Sequence, residues 1–362
     1  MKKINTLLLS FLVLLFVAAC KPDTPVDPIS PDNPSPFNLE KGVLVLNEGS
    51  YTNANSTLSF YDVEKDSVLN HLFYRVNGSP IGDVGQSLCL LDGKLYIVVN
   101  NSNYIYKVDA RTIYCDTTQP FKLDSVFVSP RYMLPVSSEK AYVSDLASRN
   151  LYIINPRTMT VSGAVAMGKT TETMVQVGRE LFVTNYSRYY ANDTQNNTVQ
   201  VVDINNDVKV ADIEVGYEPN GMVVDQNGMV WVLCEGDVND ADVPSTLWKI
   251  DPNTRRSFLI RTFENKALNL AIDPTGRYLY YLHGGDLHRS CIDTPATEDS
   301  FCIPAEGRLL YKIAVNPANG ELYVSDAKNY MVNGSVYRYT GDGLLLSSFD
   351  AGICPGFCLF LN

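Results

Sequence analysis

Three histidines, eight cysteines and one acidic loop are the residues of this chain whose types could do chemistry. His71, His283 and His288 are too few and too scattered to spell a metalloprotease or nucleophile–base signature. No H-E-x-x-H, G-x-S-x-G or Walker sequence occurs. Glu235, Asp237, Asn239, Asp240 and Asp242 crowd one loop, but Ala241 breaks the EF-hand spacing and no bidentate Glu follows. A solvated acidic loop is the simpler reading. A hydrolytic centre would have to be assembled from Glu235, His283 and Asp326, and the reading adopted is a non-enzymatic protein with no metal and no resident cofactor.

The residues that recur instead are carboxamides, phenols and a few cations, which suit recognition. Tyr rings offer flat contact area at low entropic cost, and amides hydrogen-bond in both senses. The candidate ligand-binding set is Tyr51, Gln86, Asn100, Arg131, Tyr132, Asn185, Tyr186, Arg188, Tyr189, Tyr217, Asn220, His283, Asp326 and Tyr330. Taken singly, each of these can equally be a strand-end residue that satisfies backbone groups in a turn.

The elements that must position them follow from a motif that returns seven times. TLSFYD, YIYKVD, NLYIIN, TVQVVD, TLWKID, HRSCID and SVYRYT end at Asp62, Asp109, Asn155, Asp203, Asp251, Asp293 and Thr340. The spacings are 47, 46, 48, 48, 42 and 47 residues. A strand repeat of this period predicts an all-β, seven-bladed β-propeller. A second strand family precedes the motif in each repeat (VLVLN at 43–47, LYIVV at 95–99, LYVSD at 322–326), and a third, innermost one precedes that. Asp/Asn-Gly turns such as Leu91-Asp92-Gly93-Lys94 join the inner two. Only six inner strands precede the C-terminus, so CPGFCLFLN (354–362) is expected to complete the blade that starts at Val43. Such closure leaves no free sheet edge and predicts a monomer. The long loops then gather on one face and the tight turns on the other.

The ends carry a different message. Lys2 and Lys3, an apolar run from Leu7 to Val17, and Val17-Ala18-Ala19-Cys20 resemble a bacterial lipoprotein signal. Residues 1–19 are read as signal peptide, with Cys20 as the lipidated residue. Residues 20–40 are read as the anchor and a Pro/Asp-rich tether, and 41–362 as the propeller. Formal charge is −11, without a basic stripe, which argues against nucleic acid. Of the seven other cysteines, Cys291–Cys302 is the favoured disulfide pair and Cys354–Cys358 a second possibility in an exported protein.

LNEGSYTNANSTLSFYD (46–62), LYVSD (322–326) and the V-G-Y-x-P-N-G-M run at 215–222 resemble the YncE-like seven-bladed propellers found as surface lipoproteins of Gram-negative gut bacteria. Within that group the chain looks like the BtuG-type proteins. The resemblance implies capture of cobalamin or a related corrinoid as a transported ligand. It further implies a lipid anchor in the outer membrane, facing outward, and delivery to a TonB-dependent transporter. It supplies no ligand residues position by position. A glycan- or peptide-binding propeller of another uptake system is the alternative reading.

Overall fold

The computed structural model describes residues 39, 41–115, 120–122, 129–186, 196–237, 240, 242–298 and 300–361. These form seven four-stranded antiparallel sheets, arranged as the blades of a propeller. Numbering the blades from the first motif, the inner strands are Pro355–Leu361, Gly85–Leu91, Pro130–Ser137, Met174–Val177, Pro219–Val224, Ala267–Ile272 and Leu310–Val315. In six blades the strands run inner to outer in chain order. Blade 1 breaks that order: its inner strand is the C-terminal one, which pairs with Gly42–Asn47 from Gly42↔Leu361 to Asn47↔Pro355.

Period-two alternation explains why each blade packs on both neighbours. In Val43-Leu44-Val45-Leu46 the leucines enter the apolar cluster shared with blade 2, beside Leu88, Leu95 and Ile97. The valines enter the cluster shared with blade 7, beside Tyr323, Val336 and Phe349. Both faces are thus buried, so the strand reads as a near-continuous apolar run. Tyr61 ties the same seam by stacking on Phe349 at 4.1 Å.

The polar end of the motif has its own physical role. Asp62, Asp109, Asn155 and Asp251 each accept the backbone N–H groups two and three residues on. Asp203 accepts that of Asn205. The fourth residue after each, namely Asp66, Ile113, Met159, Asp207 and Arg255, takes a positive φ between 47° and 61°. Five blades therefore repeat one turn between their third and fourth strands, built on a carboxylate or amide cap. In blade 7 Thr340 replaces the carboxylate, and Gly343 supplies the positive φ.

Two expectations are corrected. In blade 6 the third strand is Asp286–Cys291, so Asp293 lies in the following turn rather than ending the strand. All seven described cysteines are free. Cys302 lies opposite His288, three residues along the strand from Cys291. That is ~10 Å, beyond disulfide reach. Cys354 precedes the strand on which Cys358 sits, about 13 Å away at strand pitch. The short helix Leu72–Asn77, between blades 1 and 2, has no counterpart in the sequence reading. No helix among the described residues is long and apolar enough to cross a membrane.

Candidate ligand-binding site

Where the second strands end and the inner strands begin, their residues meet around the central channel. A cavity of about 440 Å³ opens there, lined by Glu48, Tyr51, Gln86, Arg131, Lys312 and Tyr330 among others. A second volume of about 250 Å³ continues along the channel past Gln86, Tyr132, Asn220, Asn269, Lys312 and Phe357. Gln86 and Lys312 line both.

The centre of this mouth is a buried charge pair. Arg131 Nε donates to Glu172 Oε1 and Oε2 at 2.9 and 2.8 Å, and Nη2 donates to Oε1 at 2.7 Å. Its Nη1 donates to Gln86 Oε1 at 2.5 Å. The Glu172 side chain is 1 % exposed and that of Arg131 17 %. Burial works to lower the Arg131 pKa, but the Glu172 charge and hydrogen bonds outweigh it and raise the pKa. The guanidinium is therefore a fixed cation.

Two further carboxylates carry hydrogen bonds from neutral groups. Tyr311 Oη donates to Glu48 at 2.8 Å, and Asn220 Nδ2 donates to Glu235 at 2.7 Å. Tyr186 Oη reaches Glu235 at 3.4 Å. Burial first, then the neighbouring carboxylate, pushes the Tyr311 and Tyr186 phenols up, so both are donors at neutral pH. Tyr132 is raised too, by burial and then by Glu172. Lys312 differs from the other cations. Among the described residues its ammonium makes no ion pair, and it lies over the Tyr311 ring, 5.2 Å from the centroid.

The rim is aromatic. Tyr51 is 70 % exposed and Tyr330 46 %, on loops of blades 1 and 7 that meet where Ser50 Oγ donates to the Tyr330 carbonyl. Tyr330 sits in the left-handed region at φ 63° and packs edge-on to Tyr311 at 5.7 Å.

Of the expected residues, Tyr51, Gln86, Asn100, Arg131, Tyr132, Asn220 and Tyr330 line these two volumes, and Tyr186 joins through Glu235. Several are committed to the scaffold. Asn100 Nδ2 donates to Ser129 and the Pro130 carbonyl, so its amide fixes the entry to blade 3. Asn185 is 2 % exposed and donates to Thr170. Asp326 accepts the N–H groups of Leu309 and Lys328. Tyr217 contributes its carbonyl to the Gly236 N–H. His283 lies off the channel, between blades 5 and 6 against Phe263. Arg188, Tyr189 and Cys20 lie outside the described residues. Sequence reasoning passed over Glu48, Glu172, Tyr311 and Lys312. Tyr311 and Lys312 are polar breaks in the apolar pattern of an inner strand, Glu48 directly follows the second strand of blade 1, and Glu172 lies two residues before the inner strand of blade 4.

Residues 41–348 match a family described as a domain of unknown function, DUF5074. The chain belongs to the DUF5074 family. No curated protein sequence matches it. Among solved structures, this DUF5074 propeller is similar to a quinonprotein alcohol dehydrogenase-like protein from Bacteroides thetaiotaomicron. Identity is 17 %, over 91 % of this chain and 80 % of the other, with a TM-score of 0.68. A periplasmic gluconolactonase from Pseudomonas aeruginosa is 14 % identical over 88 % and 99 %, TM-score 0.62. A putative 6-phosphogluconolactonase from Bacteroides fragilis is 13 % identical over 91 % and 100 %, TM-score 0.60. At these identities the likeness shows the propeller scaffold and leaves the chemistry to each site. Family and blade count both fit a YncE-like propeller.

Proposed function

We propose that this DUF5074 propeller is a non-enzymatic capture module that binds a corrinoid at the mouth between blades 1, 2, 3 and 7. In this reading Cys20 anchors it to the outer membrane, the 20–40 tether lets it stand off the surface, and the ligand passes to a TonB-dependent transporter. The observation that carries the reading is Lys312: a half-buried ammonium that makes no ion pair among the described residues, in a cavity where Arg131 is matched by Glu172 and Glu48 is held by the neutral Tyr311 hydroxyl. A ligand rich in carbonyl oxygens or carrying an anion completes it, and the amide-studded edge of a corrinoid has that chemistry. The cavity falls within the usual range for small-molecule sites. A corrin ring would seat one edge there and lie across Tyr51 and Tyr330.

Nanomolar capture requires about 12 kcal/mol. Calorimetric titration of the purified protein with cyanocobalamin tests the idea. Lys312→Met is expected to weaken binding roughly tenfold to hundredfold, the range of a lost charge-assisted hydrogen bond. No heat and no spectral change at micromolar protein would refute corrinoid capture. The exposed Tyr51 and Tyr330 rings favour one second reading, stacking on sugar faces. Binding on an oligosaccharide array without corrinoid binding would establish that reading instead.

A further inference from the structure

Two of the chain's three histidines come together away from the channel. His283 ends the second strand of blade 6, and His288 lies on the third. The pairing His283↔Asp286 and Tyr281↔His288 puts them diagonally across one face, where alternation keeps both on the side of Phe263 in blade 5. Their rings are 5.5 Å apart. The segment after the third strand folds back and brings Glu298 between them. Its Oε1 lies 2.8 Å from His283 Nδ1 and its Oε2 lies 3.0 Å from His288 Nδ1. Donor atoms of His283, His288 and Glu298 all lie within 4.8 Å of one another, and the same holds for Asp286, His288 and Cys302. His288 belongs to both triads.

Hydrogen bonding alone does not account for this cluster. His283 Nε2 is buried and has no hydrogen-bond partner among the described residues. One carboxylate is asked to satisfy two imidazoles as well as Arg261, whose Nη1 lies 3.1 Å from Oε1. Two imidazoles, two carboxylates and a thiol gather here beside the apolar cluster that holds Phe263 and Tyr281.

We propose that His283, His288 and Glu298 form a binding site for a divalent transition-metal ion of the zinc class, with Cys302 or Asp286 completing the coordination. Imidazole, carboxylate and thiolate are the donors such ions prefer. Tetrahedral ligation at 2.0–2.1 Å spaces donor atoms ~3.3 Å apart, slightly wider than the two imidazole–carboxylate separations and within the 4.8 Å that bounds the other donor pairs. A small outward shift of the returning segment admits the ion. Bound there, the ion pins residues 292–298 across the seam between blades 5 and 6. Arg261 opposes it: its guanidinium shares the same carboxylate and also donates to Tyr281.

The test is zinc titration of the purified chain, freed of metal by chelation, followed by calorimetry and by cobalt(II) absorption. One equivalent bound with a dissociation constant below about 1 µM, and visible cobalt bands of a tetrahedral site, are expected. His288→Asn and Glu298→Gln should each weaken binding about a hundredfold, and His71→Asn should leave it unchanged. Arg261→Gln should tighten it at least about threefold, because it removes a competing cation. That gain would not arise if Arg261 mattered only for folding. Absence of stoichiometric zinc binding by the wild-type chain overturns the proposal. So does full zinc affinity in folded His288→Asn and Glu298→Gln variants.

Discussion

Replacing Glu172 by Gln keeps the shape of the channel mouth and removes one buried charge. Arg131 then loses the anion that received three of its hydrogen bonds, keeping its bond to Gln86 and those that the one remaining oxygen can accept. The new amide presents an NH2 group where an oxygen stood, so at least one donor faces a donor. Breaking a buried ion pair on one side costs about 3–5 kcal/mol. Arg131 retains 17 % side-chain exposure, and some water can reach it, so the lower end applies: about 3 kcal/mol. For a domain this large each kcal/mol moves the midpoint roughly 2 °C, which gives a fall of roughly 6 °C. Urea unfolding followed by far-UV circular dichroism is the assay, and an unchanged m-value would show that the native state is otherwise intact. The double replacement Arg131→Met with Glu172→Leu should recover most of the loss, since a buried pair exchanged for apolar groups is close to neutral. A loss under about 1 kcal/mol for Glu172→Gln, or a double variant less stable than the single one, would refute the reasoning.

Acid should unfold the propeller through its repeated turns. Hydrogen bonds from neighbouring residues hold the Asp203 and Asp251 carboxyls below their ordinary range. For Asp62 and Asp109 burial opposes this and is outweighed by the same kind of bonds. A lowered folded pKa contributes stability that is present above the unfolded value near 3.9 and is lost as pH falls through the folded one. The quadruple Asp→Asn variant at these positions, following the Asn155 precedent in its hydrogen bonds, should be less stable than the wild type at pH 7 and should lose less stability below pH ~4, so that the difference narrows in acid. Equal acid sensitivity in thermal melts would count against the turns. Deleting residues 354–362 should abolish cooperative unfolding rather than shorten the domain. It strips Gly42–Asn47 of its inner partner and exposes the channel side of blade 1. Retained sharp melting in the truncated chain would contradict closure as the source of integrity.

The blade count, the strand families and the closing strand were legible because each is local and repeated. A run such as Val43–Asn47 declares two buried faces by composition, and the motif's final Asp or Asn declares the turn that follows. Asp293 misled because blade 6 places its third strand two residues earlier, and a polar residue at the right period cannot distinguish a strand end from the turn after it. The disulfide expectation failed for a related reason: sequence spacing says nothing of strand pitch, which separates both cysteine pairs beyond reach.

The site was legible only as a face. Its chemistry comes from contacts between residues far apart in the chain: Glu48 with Tyr311, Gln86 with Arg131, Arg131 with Glu172, Asn220 with Glu235. Asn100, Asn185 and Asp326 have the same residue types as genuine rim groups, yet they spend their hydrogen bonds on the scaffold at blade entries, Asn100 and Asp326 on the backbone and Asn185 on the Thr170 hydroxyl. The discriminating property is partnership: a polar group whose bonds close within its own blade seam holds the scaffold, and one left open at the channel is available to a ligand. Lys312 meets the second condition and was overlooked because YKIAVN reads as an inner strand like any other. The first strand to enter the channel from each blade must expose one face to it, so every polar residue on that face is surrounded by six other blades' contributions. A ligand that binds there therefore reads the ring as a whole, and a single substitution such as Lys312→Met alters affinity while leaving the blade that carries it intact.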